Sequence, residues 1–352
     1  MKKVLCFLQV GVGGAERMTV LFGKMLNRSK FCVKFYLIRK GETSCSIADF
    51  IPKDFCYVQL EEMSPIKLIF EINKIIRNER PNIVFSSVFY LNSKILIQRF
   101  LFPRVKFIIR CENYLYTFSR RQRLVVRLTY NQASKIITQT EEMKDELVNY
   151  RIDADKIFVL HNPVDKNTIE KKLQNAVNPF PSNGKKHLLA SGRFAYQKGF
   201  DLLVEAFCLM RKQRNDVDLF IVGENGGFAK EEYERVFGLI KKYNLEEDIH
   251  CVGFQTNPYI FVKYADAFVL SSRWEGLPNV LIEALYLGTP VASFKCIPII
   301  ERIVDDGVNG FLALSNDVGA LKKAMEKALD LHRVEFHYYG ASDEDVNLLF
   351  NI

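Results

Sequence analysis

The stretch from Ala267 to Ser293 leaves the chain few folds to choose from. An apolar run, Ala267-Phe-Val-Leu270, breaks at Trp274-Glu-Gly-Leu-Pro278, and Thr289-Pro-Val-Ala-Ser293 starts a second one. The residues between read as a helix. Pro278 is placed for its first turn, where a missing N–H costs nothing, and Gly288 lies near its end. Strand, loop, helix and strand in that order make a right-handed crossover in a parallel sheet. Open sheets of this kind hold ligands beyond the carboxyl ends of their strands. Two carboxylates are expected there, Glu275 in the loop and Glu283 on the helix.

The same alternation runs through the whole chain. A first series has strands at Lys3–Val10, Phe31–Ile38, Ile83–Ser87, Val105–Arg110, Lys135–Gln139 and Ile157–Leu160. Helices are expected at Gly14–Asn27, Leu68–Arg77, Ser93–Leu101, Arg123–Gln132 and Glu141–Tyr150, the last capped by Thr140. A loop rich in Ser and Gly follows the second strand. A second series has strands at His187–Ser191, Leu219–Val222, Ile249–Phe254, Ala267–Leu270 and Gly310–Ala313, with helices at Phe200–Lys212, Ala229–Tyr243 and Val318–Leu331. Between the series, Asn178-Pro-Phe-Pro-Ser-Asn-Gly184 breaks any regular element. The expected fold is α/β: two Rossmann-like, doubly wound domains, residues 1–165 and 187–335, facing each other across a cleft. Residues 166–186 are the linker and 336–352 a tail, and 352 residues give each domain ample core.

Composition excludes several alternatives. Charges interrupt every apolar stretch short of the roughly 18 residues a spanning helix needs. The basic start runs only one strand length before Gly-rich sequence, unlike a signal peptide. Eight cysteines are scattered without a C-x-x-C pair and mostly sit in apolar runs, so they read as buried hydrophobes rather than zinc ligands or disulfides. The net charge of +8 leaves room for an anionic partner. No recognised module points to nucleic acid. The chain is expected in the cytoplasm, with peripheral contact to the inner face of the membrane left open. Arg120–Tyr130 and Lys94–Lys106 mix basic and apolar residues, and either rest on anionic lipid or face a core.

Two glycine-containing loops each follow a strand. Gly11-Val-Gly-Gly-Ala-Glu-Arg17 fails as a dinucleotide fingerprint, because Glu16 stands where the third glycine belongs and no acidic residue ends the second strand. Gly13 and Gly14 still let backbone N–H groups approach a phosphate or sugar at a helix start. In Ser191-Gly-Arg-Phe-Ala-Tyr-Gln-Lys-Gly199, Arg193 and Lys198 share one short loop and can reach one anion. Three D-x-D strings, at Asp153, Asp216 and Asp343, are read as turns and solvated charge, the first two preceding strands. No metal and no cofactor are expected.

Glu275 and Glu283, with seven residues between them and Gly-Leu-Pro after the first, resemble the E-x7-E motif of retaining GT-B glycosyltransferases of family 4. The G-G-A-E loop and the G-R-x-x-x-x-K-G loop resemble the same family, and the likeness covers nearly the whole chain. It implies that Arg193 and Lys198 hold the diphosphate of a nucleotide-sugar donor, most simply a UDP-sugar. By the same resemblance Glu275 would bind the transferred sugar and Glu283 the ribose. N–H groups of Gly276 and Leu277 would reach the phosphate, and Gly223, Val252 and Phe254 would line the base and ribose side. Gly13, Gly14 and Glu16 would line the first domain's loop. Many members carry a histidine in the first domain, whereas Arg110-Cys-Glu-Asn-Tyr114 offers Glu112 or Asn113. Glu112 either takes a sugar or acceptor role or caps a helix. The 294–301 loop lacks the usual glycines, and the tail offers only a stub of the family's returning helix. The resemblance implies transfer of a hexose or N-acetylhexosamine to a lipid-linked or surface saccharide. An epimerase or a nucleotide-sugar-binding protein on the same fold is the alternative. A phosphorylase would need a pyridoxal lysine motif that is absent.

Overall fold

The first sheet is built around β1 (Lys2–Gln9), in which Val4 to Leu8 are fully buried because helices cover both faces of a parallel strand. β2 (Phe31–Ile38), β3 (Cys56–Leu60), β4 (Ile83–Ser86), β5 (Lys106–Arg110), β6 (Lys135–Thr138) and β7 (Ile157–Val159) complete it. Their order is β3-β2-β1-β4-β5-β6-β7, all parallel, so the winding reverses between β1 and β4. The computed structural model describes residues 1–41, 45–224, 229–338 and 340–352, which form two compact units, 1–163 with 339–352 and 164–338.

One face of the first sheet is covered by helices Pro65–Glu79, Phe89–Leu96 and Arg120–Thr129, which contribute Leu68, Ile72, Leu91, Ile95 and Val126 to a single cluster. The other face takes helix Gly14–Met25, through Met18 and Phe22, and the final helix Asp343–Phe350, through Val346 and Phe350. Phe350 meets Phe85 edge-on, with ring centroids 5.2 Å apart. Asn347 Nδ2 donates to the Met25 carbonyl, and Asn347 Oδ1 accepts from the Asn27 N–H, each at 2.8 Å. The tail is short, yet it closes one face of this sheet.

The second sheet has β8 (Lys186–Ser191), β9 (Val217–Val222), β10 (Ile249–Gly253), β11 (Ala267–Leu270), β12 (Val291–Phe294) and β13 (Gly310–Ala313). The order β10-β9-β8-β11-β12-β13, again all parallel, puts the reversal between β8 and β11. Its main cluster joins Leu188, Val204, Phe207, Leu219, Val269 and Met325.

Several elements differ from the sequence expectation for identifiable reasons. β3 is an edge strand with mostly exposed side chains, so its apolar signal is weak. Helix Lys166–Leu173 occupies the expected linker and buries only Ile169. Helix Arg120–Thr129 starts earlier than its apolar period suggests, because Ser119 and Gln122 form a capping box ahead of exposed arginines. Helix Phe89–Leu96 starts straight after β4 and tightens into a 3-10 turn over Ile97–Phe100. Thr140 caps its helix by accepting the Met143 N–H. All eight cysteines are free, but only Cys6 and Cys111 are buried; Cys32 and Cys56 lie exposed on β2 and β3 near the sheet edge, where side chains alternate toward solvent. Asp218 lies inside β9 rather than before it and is paired with Lys185 at 2.7 Å. The Ser- and Gly-rich loop after β2 falls partly outside the described residues.

Glu79 ends its helix against two strands. It accepts from Lys34 Nζ at 2.6 Å, Lys3 Nζ at 2.9 Å and the Tyr36 hydroxyl at 2.7 Å. These hydrogen bonds, Lys34's first, hold its carboxyl at about 2, below the ordinary 4.5. A depressed folded value contributes stability above pH 4.5 that is lost as pH falls toward 2. Glu79→Gln is therefore expected to be less stable than the parent at neutral pH in urea melts. That difference should close across this acid window.

Candidate active site

The loops after β8 and β11 meet beside the point where the second sheet reverses its winding, the place where open α/β sheets leave a crevice for a ligand. Lys198 Nζ donates to Glu275 Oε1 at 2.6 Å, and the Ser272 hydroxyl donates to the same oxygen at 2.7 Å. Glu275 and Ser272 are buried, and Lys198 is half-buried. Both bonds end on Oε1, and Oε2 accepts none among the described residues. That oxygen is left to accept from a hydroxyl group, the only hydrogen-bond role open to a carboxylate.

Backbone contacts lock the two loops together. Arg273 N–H donates to the Gln197 carbonyl at 2.7 Å, Gln197 Nε2 to the Trp274 carbonyl at 2.9 Å, and the Ser271 hydroxyl to the Lys198 carbonyl at 2.8 Å. Gly199 makes this approach possible: its φ is +61°, and a Cβ there would overlap the Ser271 carbonyl oxygen. Arg273 continues the lock, lying 3.9 Å from the Tyr196 ring and gripping Asp201 with two hydrogen bonds of 2.9 and 2.6 Å. Arg235 joins Asp201 at 3.1 Å. Burial pushes the Asp201 carboxyl up, but the bonds from Arg273 and Arg235 outweigh it and hold the group below its ordinary range.

The ends of β8, β9 and β10 are laced as closely. Gly192 N–H donates to the Val222 carbonyl at 2.9 Å and Gly223 N–H to the Gly253 carbonyl at 3.0 Å. A Cβ on Gly223 would overlap the Gly192 carbonyl oxygen, so only glycine fits there. Arg193, next to Gly192, is exposed and makes no ion pair with a described residue. Val252 is half-buried, with its carbonyl accepting from Gln255, and Phe254 is exposed at the mouth of the same strand end. Gly276 and Leu277 are buried after Glu275. Pro278 precedes helix Asn279–Tyr286 as its cap rather than entering its first turn. Glu283, half-buried on that helix, accepts from the Tyr259 hydroxyl at 3.4 Å. Cys296 is a further neighbour: burial, then the charge of Glu275, pushes its thiol up to about 12.

The first unit presents its own candidates at the carboxyl edge of its sheet. Gly13 and Gly14 open helix Gly14–Met25, and buried Glu16 folds back so that its carboxylate lies against Gly13. Glu112, after β5, accepts the N–H of Phe89 at 3.2 Å, at the start of the helix that follows β4. That bond makes it a capping contact for the helix and leaves the sugar or acceptor role open.

Comparison with known proteins agrees with this architecture. The family described as Glycosyltransferase Family 4 matches residues 12–168, and that described as Glycosyl transferases group 1 matches residues 172–342. The chain belongs to the glycosyltransferases. It is 28% identical to the amylovoran biosynthesis glycosyltransferase AmsD of Erwinia amylovora, over 84% of this chain and 81% of that one. It is also 28% identical to an N-acetylgalactosaminyltransferase of Campylobacter jejuni whose name gives a diphospho-undecaprenol acceptor, over 81% and 78%. Among solved structures, HepE of Anabaena, in complex with UDP and glucose, superposes with a TM-score of 0.76 at 18% identity, covering 94% of this chain and 92% of HepE. Its likeness shows the GT-B fold of two Rossmann-like units.

Sequence reading of this glycosyltransferase missed Ser272, Asp201 and Arg235. The only signals were a serine three residues before Glu275 and an aspartate two after Gly199. Removing one partner of a buried pair leaves the other charge desolvated and uncompensated. Lys198→Met is expected to lower the stability of the unit spanning residues 164–338 by about 3 kcal/mol in denaturant melts. Adding Glu275→Gln should recover part of that loss.

Proposed function

We propose that this glycosyltransferase moves a hexose or N-acetylhexosamine from a UDP-sugar to a lipid-linked or surface saccharide, retains the anomeric configuration and needs no metal. The single observation that carries the reading is the Lys198–Glu275 pair, with Glu275 buried where the second sheet reverses its winding. Arg193 and Lys198 would hold the diphosphate, with N–H groups of Gly276 and Leu277 beside them. Negative charge grows on that diphosphate as the bond to the sugar breaks, so fixed cations stabilise the transition state more than the bound donor. Glu275 Oε2 would accept from a sugar hydroxyl, Glu283 from the ribose, and Gly223, Val252 and Phe254 would border the base. In the transfer itself the acceptor oxygen bonds to the anomeric carbon on the face the diphosphate leaves. The hydroxyl proton passes to the departing diphosphate oxygen. Gly13, Gly14, Glu16 and Glu112 would line the acceptor side.

Three further observations support parts of this reading. HepE is described with UDP and glucose, and the Campylobacter relative with a lipid diphosphate acceptor. Four of the six D-x-D carboxylates have structural partners away from the β8 and β11 loops: Asp216 with Arg214, Asp218 with Lys185, Asp153 and Asp345 with backbone N–H groups of their own turns. The helix Arg120–Thr129 buries only Val126 and turns Leu124 and Leu128 outward among Arg120, Arg121 and Arg127. Phe100 and Leu101 are exposed on the turn that continues helix Phe89–Leu96, which packs against Arg120–Thr129. That mix suits an anionic lipid surface, although no helix among the described residues is long and apolar enough to cross a membrane.

Incubation with UDP-sugars and a lipid-linked acceptor, in chelator, should give a product whose anomeric configuration by NMR matches the donor's. Glu275→Gln should lower turnover at least about a hundredfold. Binding of UDP-sugar without any transfer would favour a binding protein, and an inverted product would refute retention. Vesicles containing anionic phospholipid should pull the protein down in low salt. Leu124→Ser with Leu128→Ser should weaken that several-fold, and equal binding to neutral vesicles would exclude the anionic surface.

A further inference from the structure

Tyr90 carries two ammonium groups on one ring. Lys94 Nζ lies 3.6 Å from its centroid and Lys40 Nζ 4.2 Å. Lys94 uses one proton on the Tyr90 carbonyl, at 2.7 Å, and finds no other acceptor among the described residues. Neither ammonium makes an ion pair with a carboxylate of a described residue; Glu61 pairs with Arg39 at 3.7 Å, and Glu62 acts on Tyr90 by its charge without bonding to either lysine. Burial, and then the charge of Lys40, bring the half-buried Lys94 down to about 8. A ring face attracts cations, but it offers no lone pair and does not neutralise them. Two like charges held together, one of them partly desolvated, are a cost that a bound anion would relieve.

Their place in the fold says what kind of anion. Lys40 follows β2, while Tyr90 and Lys94 lie on the helix that follows β4; β1 runs between those strands and ends in the Gly13-Gly14 loop. Ala15, just after that loop, packs against the same buried cluster as Tyr90. Phe89, the neighbour of Tyr90, donates its N–H to Glu112. The two cations therefore stand beside the winding reversal of the first sheet, on the edge that also carries the glycine loop and Glu112. We propose that Lys40 and Lys94, set around Tyr90, form a subsite for a phosphate or diphosphate group carried by the acceptor. This rests on the reading that the first unit takes the acceptor. A lysine pair meets a multiply charged phosphate as point charges, with the glycine N–H groups as further donors. Glu112, anchored at Phe89, then lies beside the same group, placed to accept from a sugar hydroxyl.

The test uses the full chain with its nucleotide site saturated by UDP, titrated by calorimetry with inorganic pyrophosphate and, in a second arm, with geranyl diphosphate. Both should bind the parent protein. Lys94→Met and, separately, the exposed Lys40→Met should each weaken them about tenfold, with UDP affinity and circular dichroism unchanged. Lys94→Arg, which keeps the charge, should hold most of the binding. Tighter binding of geranyl diphosphate than of pyrophosphate supports the subsite and assigns the phosphate to a lipid carrier; equal binding supports it and assigns the phosphate to a free or sugar-borne group. Pyrophosphate binding unchanged in both methionine variants, or absent from the parent, overturns the subsite. Loss of UDP binding alone would sink the donor reading and leave the subsite standing.

Discussion

The hydrogen bond between Lys198 and Glu275 joins two loops that are 77 residues apart in sequence. It is the constraint on which the candidate site depends. Each loop leaves a parallel strand at the carboxyl edge, and the strands that carry them, β8 and β11, are neighbours because the winding reverses there. A sheet wound in one direction only would send the two loops over different crossovers. The reversal brings them together and leaves a crevice between them. A carboxylate and an ammonium meeting in that crevice neutralise each other while empty, and each keeps capacity for a ligand: Oε2 for a hydroxyl, the lysine for an anion.

Close backbone approach holds the two loops together alongside that bond. Gly199 permits the Ser271 carbonyl to lie where a side chain would otherwise be, and Gly223 does the same for the Gly192 carbonyl. Around them Arg273, Asp201 and Arg235 form a charged lock in which each guanidinium is shared with the same carboxylate. Such a network fixes the loop geometry before substrate arrives, and fixed dipoles and charges are what lower a transition state without reorganisation. The first unit shows a complementary arrangement. There two lysines share a tyrosine ring without an ion pair to a described residue, and the Glu62 charge reaches the same tyrosine.

Much of the fold was legible because a parallel strand covered on both faces must be apolar throughout, as in Val4 to Leu8 and Leu219 to Val222. What escaped was whatever buries little. β3 at the sheet edge and helix Lys166–Leu173, with one buried residue, carry almost no apolar period. Cys56 is exposed because the edge strand β3 turns residues outward, and Cys32 because it lies on β2 ahead of the stretch that pairs with β3. In the site, Lys198 and Glu275 stood out through spacing and family resemblance. Ser272, Asp201 and Arg235 did not, because their significance lies in tertiary contacts: Asp201 meets Arg273 across 72 residues. Glu112 was left between two roles by the sequence, and only the Phe89 N–H beside it showed the capping contact.

The central claim is that the loops joined by Lys198 and Glu275 form a UDP-sugar site. Its most direct test uses Trp274, the only tryptophan, which adjoins Glu275 and lies 6.2 Å from the Tyr196 ring, centroid to centroid. Selective excitation of Trp274 during titration with UDP, GDP, ADP and NAD, each with and without chelator, reads the site alone. A saturable change with UDP, indifferent to chelator and weakened by Lys198→Met, is the expected result. A response to GDP or ADP in place of UDP would contradict the donor, and calorimetry showing no nucleotide bound at all would contradict the site.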